Sequence, residues 1–300
     1  ADMKTNSILM SIFLSLGMKR LAWAFRRLHC PVPKDALVLE VGSGGNPYFR
    51  ANVLVDAYTT TRERHWAPLI TDRPSVIGFG ESLPFKDKAF DFVIASHVLE
   101  HSSEPEKFIN ELERVSKAGY IETPDAFMER INPYWDHRSE VTDRNGELLI
   151  RKKNDWNIDA DLVSLYEFSA KKIIALKTIV HEPFVFHTRF YWKHKIPYKI
   201  LNPKTDSSWP APVFPYTTKL STSMRAKIGQ FVLYLARLFL SQNKRNRRLN
   251  LESLLICPSC KSQDLVFEIE GIQCTSCSCT YQINYGVPDM TQVVESSHPF

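Results

Sequence analysis

The chain has no apolar run long enough to cross a bilayer. The best candidate, Ile8 to Met18, is eleven residues, against the ~20 that a helical span requires. No small-residue cleavage site follows it, and Lys19 and Arg20 do, so it does not read as a secretory signal. Continued through Leu28, it reads as one amphipathic helix carrying Lys19, Arg20, Arg26 and Arg27, in a protein expected in the cytoplasm. Internal repeats are absent, which sets aside solenoids and propellers. Cysteine is missing outside Cys257 to Cys279 except for Cys30, which reads as a small buried hydrophobe. Acidic residues are missing from Ser207 to Leu251, while eight Lys or Arg lie between Lys219 and Arg248. That local field suits phosphate, nucleic acid or an anionic membrane surface, and equally an ordinary solvated basic helix.

What is present supports a folded core. The chain has 300 residues, 44% of them hydrophobic and 24% charged, with a net charge of +5. That composition excludes global disorder, and the length suggests two units. Residues 1–35 form a helical lead-in ended by Pro31 and Pro33. From 36 to about 124, strand and helix signals alternate: Ala36 to Val41, Val53 to Asp56, Phe90 to Ser96, a helix over Glu106 to Ser116, then Gly119 to Glu122. The expected fold is α/β, a Rossmann-like parallel sheet with helices on both faces, plus a small C-terminal metal-binding module. A domain over 36–200 would carry an insertion at about 125–160, where Asn145-Gly146 between Val141 and Leu148 signals a hairpin. Residues 161–178 look helical and Phe184 to Trp192 looks like a strand. In 201–250, a proline-rich connector (Pro197 to Pro215) leads into an amphipathic helix, Met224 to Leu240, and the basic run Lys244 to Arg248. The cysteine-rich unit occupies 251–292.

Leu37 to Asn46 is a strand running into a glycine-rich turn, Gly42-Ser43-Gly44-Gly45-Asn46. Glycines there permit positive φ and close approach of a ligand to the backbone. Glu40 beside the turn would repel a pyrophosphate and suits a cationic ligand, placed at the carboxyl ends of the strands. Asp56 ends the second strand, where a carboxylate can accept ribose hydroxyls. Then come Glu81-Ser82-Leu83-Pro84-Phe85 and Phe90-Asp91-Phe92-Val93-Ile94-Ala95-Ser96-His97-Val98-Leu99-Glu100-His101. On these motifs, residues 36 to 124 resemble the class I S-adenosylmethionine-dependent methyltransferases, in the subgroup with LPF and LEH motifs.

The resemblance implies S-adenosylmethionine as cofactor. Glu40 with Gly42, Ser43, Gly44, Gly45 and Asn46 would surround its amino-acid end, and Asp56 its ribose. Gly80, Glu81, Ser82 and Leu83 would flank adenine, with Ser96 and His97 at the methionine moiety. Leu83, Phe85 and Phe90 also read as core. Three positions depart from the family pattern: Asn46 replaces a glycine, Pro47 sits in a shortened crossover, and Phe79 stands where relatives carry an adenine-binding Asp. An oxygen acceptor needs a base near neutrality, and His is the natural choice. His101, just past the fourth strand, and His137, in Tyr134-Trp135-Asp136-His137-Arg138, are the candidates.

Cys257-Pro-Ser-Cys260, thirteen residues, then Cys274-Thr-Ser-Cys277 is a paired C-x-x-C arrangement. Four thiolates at that spacing suit a closed structural zinc site, with Cys279 as a competing fourth ligand. Together with Tyr281 to Met290 the unit resembles zinc-ribbon-like proteins that activate certain tRNA and translation-factor methyltransferases. A unit of about forty residues needs such a staple to fold. The leading expectation is O-methylation of a glycan, lipid-linked sugar or small hydroxylated acceptor, with peripheral membrane contact through the basic amphipathic helices. RNA or protein methylation is the alternative, and a non-catalytic scaffold the third. The chain lacks a recognisable RNA-binding motif and an Asn/Asp-Pro-Pro-Tyr signature, which argues against nucleic acid and nitrogen acceptors.

Overall fold

Short apolar runs bounded by turns become parallel strands in the computed structural model, which describes residues 3–61, 68–156, 173–210, 224–269 and 271–294. The described residues fall into two units. One comprises 1–31, 96–105 and 120–226; the other comprises 32–95, 106–119 and 227–300.

In the latter unit, β1 (Val38–Val41), β2 (Val53–Asp56) and β3 (Ser75–Ile77) are buried at every position, as is β4 (Phe92–Ser96) up to Ala95. Burial on both faces is the mark of parallel strands. Leu39 lies opposite Val53 on one side and Val93 on the other, and Leu54 opposite Ser75. Within this unit the strand order is β3-β2-β1-β4, and β5 (Ala118–Pro124) begins here and runs on into the other unit. Helix α3 (Pro105–Val115) connects β4 to β5 and buries Phe108, Ile109, Leu112 and Val115, one stripe at helical spacing. The result is a large Rossmann-like α/β sheet flanked by helices.

The crossover from β1 to β2 is short, as Pro47 suggested, and residues 42–52 hold no helix at all. Polar side chains brace it instead. Arg50 donates to the carbonyls of Pro33 and Ala36, both at 2.7 Å, and Arg73 to that of Ala51 at 2.8 Å. Asn52 accepts from the Val38 N–H at 3.0 Å and donates to Gln242 at 3.0 Å and Asn246 at 2.8 Å. Part of the basic run is therefore structural: Arg245 donates to the carbonyls of Lys34 and Ala36 at 2.9 and 2.8 Å.

Helix α5 (Met224–Leu240) has the bounds expected from its periodicity. Its apolar residues Ile228, Phe231, Leu238 and Phe239 remain exposed, however, the last at 83%. The short helix α6 (Asn243–Asn246) follows. The cysteine-rich segment forms β10 (Leu265–Phe267), β11 (Gly271–Cys274), β12 (Thr280–Asn284) and β13 (Val287–Val294), an antiparallel meander. β13 then pairs in parallel with β3, Asp289 opposite Ile77. This module continues the sheet past β3, a pairing without a local sequence signal.

In the other unit, the single helix expected from Ile8 through Leu28 is two: α1 (Ile8–Ser15) and α2 (Lys19–Phe25). Gly17 at φ 71° breaks it, with Met18 N–H bonded to the Phe13 carbonyl at 2.8 Å, a Schellman-like ending. Asp125 caps α4 (Ala126–Ile131) by accepting from Phe127 N–H. β6 (Ser139–Arg144) and β7 (Glu147–Lys152) form the expected hairpin, with Asn145 at φ 55° and Gly146 at φ 77°. The strand expected over Phe184 to Trp192 is β8 (His187–Lys193), next to β5 in the sheet order. β9 (Tyr198–Ile200), inside the proline-rich connector, pairs with β7. Of the helix expected over 161–178, residues 161–172 lie outside the described residues, and Ile174–Thr178 forms a π-helical turn.

Candidate active site

The glycine turn is held by the strand it leaves and by β2. Gly42 and Gly44 take φ of 70° and 58°, a conformation that side chains with a Cβ resist. The Gly42 N–H donates to the Val55 carbonyl at 2.8 Å, and the Gly44 N–H to Asp56 Oδ2 at 2.9 Å. Asp56 Oδ1 accepts from Tyr58 N–H at 3.1 Å. The carboxylate assigned to a ribose thus also stitches the turn to β2. Glu40, 2% exposed, accepts from Tyr48 N–H at 2.8 Å. Ser43 Oγ is buried with no hydrogen-bond partner among the described residues. A buried hydroxyl in that state has bonding capacity left for a water or a ligand, and the cradle fits a polar cofactor lying against the turn.

Gly80, Glu81 and Ser82 form a 3-10 turn. A Cβ on Gly80 would lie 2.3 Å from the Phe108 ring, so only glycine fits there. Phe79, 40% exposed, meets Tyr58 edge-to-face with ring centroids 6.1 Å apart. This pair presents an exposed aromatic surface beside the 3-10 turn. Leu83, Phe85 and Phe90 are core residues at 0% exposure. The loop is clamped from α3: Glu111 accepts from Leu83 N–H at 2.7 Å, while Arg114 donates to the carbonyls of Leu83 and Phe85 at 2.8 and 2.6 Å. Burial pushes the Glu111 carboxyl up, but Arg114 and Lys261 outweigh it and hold the group below its ordinary 4.5.

Ser96 and His97 end β4 on a set of buried carboxylates. His97 takes φ 58° and sits between Glu100 Oε1 and Glu122 Oε1, each at 3.3 Å. Burial opposes the imidazolium, yet these carboxylates prevail and raise its pKa to about 9. Glu122, 0% exposed, also takes Arg26 on both oxygens at 2.8 and 2.9 Å and Ser96 Oγ at 3.0 Å. Sequence reasoning missed Glu122, although an acid within the buried run of β5 was a signal for a paired charge.

The two candidate histidines do meet. His101 ends the 3-10 turn Leu99–His101, and His137 lies in the segment before β6. Their rings stand edge-to-face, centroids 4.7 Å apart. The backbone N–H of Arg138 bonds the Glu100 carbonyl at 2.6 Å, joining the two segments. His137 Nδ1 is 2.6 Å from Glu129 Oε2, and Lys153 holds Glu129 Oε1 at 2.7 Å. Burial drives His101 down to about 4. For His137, burial lowers the pKa but the Glu129 carboxylate outweighs it, and the net shift is upward. Glu129 had no motif to announce it, and Asp136 was visible only as a neighbour of His137; both are buried.

Cys257, Cys260, Cys274 and Cys277 bring their sulfurs within 4.8 Å of one another. The Cys257–Cys277 and Cys260–Cys274 separations are both 3.6 Å. A tetrahedral zinc with bonds of about 2.3 Å spaces its sulfurs ~3.8 Å apart, so the donor set fits that ion. Cys279 contributes its carbonyl, which accepts from Cys274 N–H at 2.9 Å. Ser82 Oγ donates to the Pro258 carbonyl at 3.0 Å, and Ile256 N–H to that of Pro84 at 3.0 Å, so the module abuts the 3-10 turn.

Residues 39–121 match the family described as the methyltransferase domain. The chain is 50% identical over 44 residues to an uncharacterized protein of Methanocaldococcus jannaschii, covering 15% of this chain and 22% of that one. Among solved structures it is similar to a Thermotoga maritima protein described as a SAM-dependent methyltransferase, possible histamine N-methyltransferase. That likeness has 21% identity and a TM-score of 0.28, over 39% of this chain and 55% of the other. A chain from the complex containing the Haloferax volcanii Trm112 methyltransferase activator is similar at 14% identity and TM-score 0.28, over 45% of this chain and 77% of its own length. The matched stretches thus span about a fifth of the curated relative and about half of the Thermotoga protein.

Proposed function

We propose that this chain is an S-adenosylmethionine-dependent methyltransferase acting on an oxygen of a glycan, lipid-linked sugar or small hydroxylated acceptor. One observation carries the reading: a positive-φ glycine turn, tied to Asp56, lies at the carboxyl ends of β1 and β2 within the segment that matches the methyltransferase domain. The cofactor, when bound, supplies an already activated methyl group. The work left to the protein is positioning and proton removal. Glu40 and Gly42 to Asn46 would hold the amino-acid end, Asp56 the ribose, and Gly80 to Leu83 with Tyr58 and Phe79 the adenine. Ser96 and His97 would face the methionine moiety. The acceptor's proton needs a base, and the imidazoles of His101 and His137, with ring centroids 4.7 Å apart, are the candidates for that role.

The four-cysteine cluster would hold a structural zinc that staples the C-terminal module. No helix among the described residues is long and apolar enough to cross a membrane. The exposed apolar residues of α5, in an acid-free stretch, support peripheral contact with an anionic membrane. Arg245 is committed to carbonyls within its own unit, which weakens the nucleic-acid alternative.

Calorimetry with S-adenosylmethionine and S-adenosylhomocysteine is the first test, with micromolar binding expected. Transfer of labelled methyl to glycan or lipid extracts is the second. Absence of binding would leave a methyltransferase-like scaffold, and transfer only to RNA or protein would overturn the oxygen-acceptor reading.

A further inference from the structure

Three side chains, Glu100 and the two candidate histidines, lie close enough to serve together as ligands of a single ion. Glu100, His101 and His137 each offer one ligand atom, and these atoms lie within 4.8 Å of one another. An ion with bonds of about 2.1 Å draws its ligand atoms to ~3–4 Å apart, so small side-chain rotations close the set. The backbone bond from Arg138 N–H to the Glu100 carbonyl, 2.6 Å, already fixes the two segments to each other.

The surroundings carry the argument further. His137 gives its Nδ1 to Glu129 at 2.6 Å, and Glu129 is fixed in turn by Lys153. A carboxylate on one ring nitrogen of a histidine is the outer-shell partner that metal-bound imidazoles use, and it leaves Nε2 facing the ion. His101 Nδ1 is buried with no hydrogen bond among the described residues, and Asp136 Oδ2 lies 3.6 Å from it. Glu100, Asp136 and Glu129 are all nearly inaccessible, at 2, 2 and 3% exposed. Lys153 pairs with Glu129 and His97 lies 3.3 Å from Glu100, so part of this charge is already met, and a divalent cation would offset what remains on the cluster. His101 is 21% exposed at its side chain, which leaves a way in.

We infer that Glu100, His101 and His137 form a site for a divalent transition-metal ion, separate from the cysteine cluster, with open coordination positions for an oxygen of the acceptor. Two imidazoles and one carboxylate suit zinc, cobalt, manganese or iron, and three protein ligands leave room for substrate. The role at the acceptor rests on the methyltransferase reading; the ion site itself does not. With both imidazoles engaged as ligands, a bound ion would take over the task assigned to the base, lowering the pKa of an acceptor hydroxyl so that its proton can pass to solvent.

The test is cobalt loading of the full-length chain, followed by gel filtration and elemental analysis. Two ions per chain are expected. One should show thiolate-to-cobalt absorption from the cysteines, and the other only the weak bands of nitrogen and oxygen ligands. Glu100→Gln and His101→Ala should each bind one ion while keeping the thiolate absorption. Glu129→Gln, which preserves shape, should weaken the second ion by ~10–100-fold. One ion per chain in the unaltered protein, or two undiminished in all three variants, overturns the proposal. Two ions without any S-adenosylmethionine binding in calorimetry would uphold the site and refute the methyltransferase reading.

Discussion

The cysteine cluster and the Glu100–His101–His137 cluster each gather ligating atoms within 4.8 Å of one another, but they are encoded differently. The four cysteines lie within 21 residues, from 257 to 277, on two matching turns, so spacing alone announces them. The other cluster joins a turn after β4 to a residue 36 positions later, and only the fold brings the rings within 4.7 Å. A local motif writes its geometry into the chain, whereas a cluster assembled across segments depends on everything that packs around it.

The comparison is broken most directly at the cysteines. Cys274→Ser is expected to release the metal and unfold the module, forfeiting binding free energy on the order of 10 kcal/mol. Zinc content and limited proteolysis read this, and a variant with full zinc and native resistance would show the cluster to be dispensable. His101→Ala should leave the fold and cofactor affinity intact and reduce kcat by ~10²–10⁴-fold. Steady-state kinetics beside calorimetry separates the two, and an unchanged kcat would remove His101 from the chemistry.

Smaller effects probe the supporting structure. Gly80→Ala forces a Cβ toward the Phe108 ring at 2.3 Å and should destabilise the protein by ~1–3 kcal/mol in denaturant unfolding. Wild-type stability here would mean that the 3-10 turn shifts freely. Glu111 gives the mildest test. Its folded pKa lies below 4.5, so its contribution is complete above that value and is lost as pH falls through the folded pKa. Glu111→Gln should therefore cost ~1–2 kcal/mol at neutral pH and flatten the acid limb of a stability–pH curve. A variant curve that parallels the wild type down to acid pH would show that the clamp does not act through its charge.

Much of the fold was legible because its signals are local. β2 occupies Val53–Asp56 as the apolar run suggested, α5 has its expected bounds, and Asn145-Gly146 turns the hairpin with both residues at positive φ. At the candidate site, the turn from Gly42, Asp56, the four cysteines and the two histidines were all visible as residue types in order. Their partners were not. Glu122, Glu129 and Asp136 are lone acids in the sequence, and only burial beside Arg26, Lys153 and the imidazoles gives them meaning. The pairing of β13 with β3 and the bonds from Asn52 to Gln242 and Asn246 were hidden for the same reason. No periodicity reports a contact between residues nearly two hundred positions apart.

Those last contacts bear on how the protein comes to exist. Where an ordinary crossover helix would form at once from neighbouring residues, this turn waits for partners 190 and 194 positions further along. Such non-local closure slows folding, because chain entropy must be surrendered before the contacts reward it. During synthesis at ~5–20 residues per second, the ribosome therefore delivers Asn52 many seconds before Gln242. Until then the crossover rests on its nearby bonds, from Arg50 to the Pro33 and Ala36 carbonyls and from Val38 N–H to Asn52, so this stretch is expected to reach its final form late.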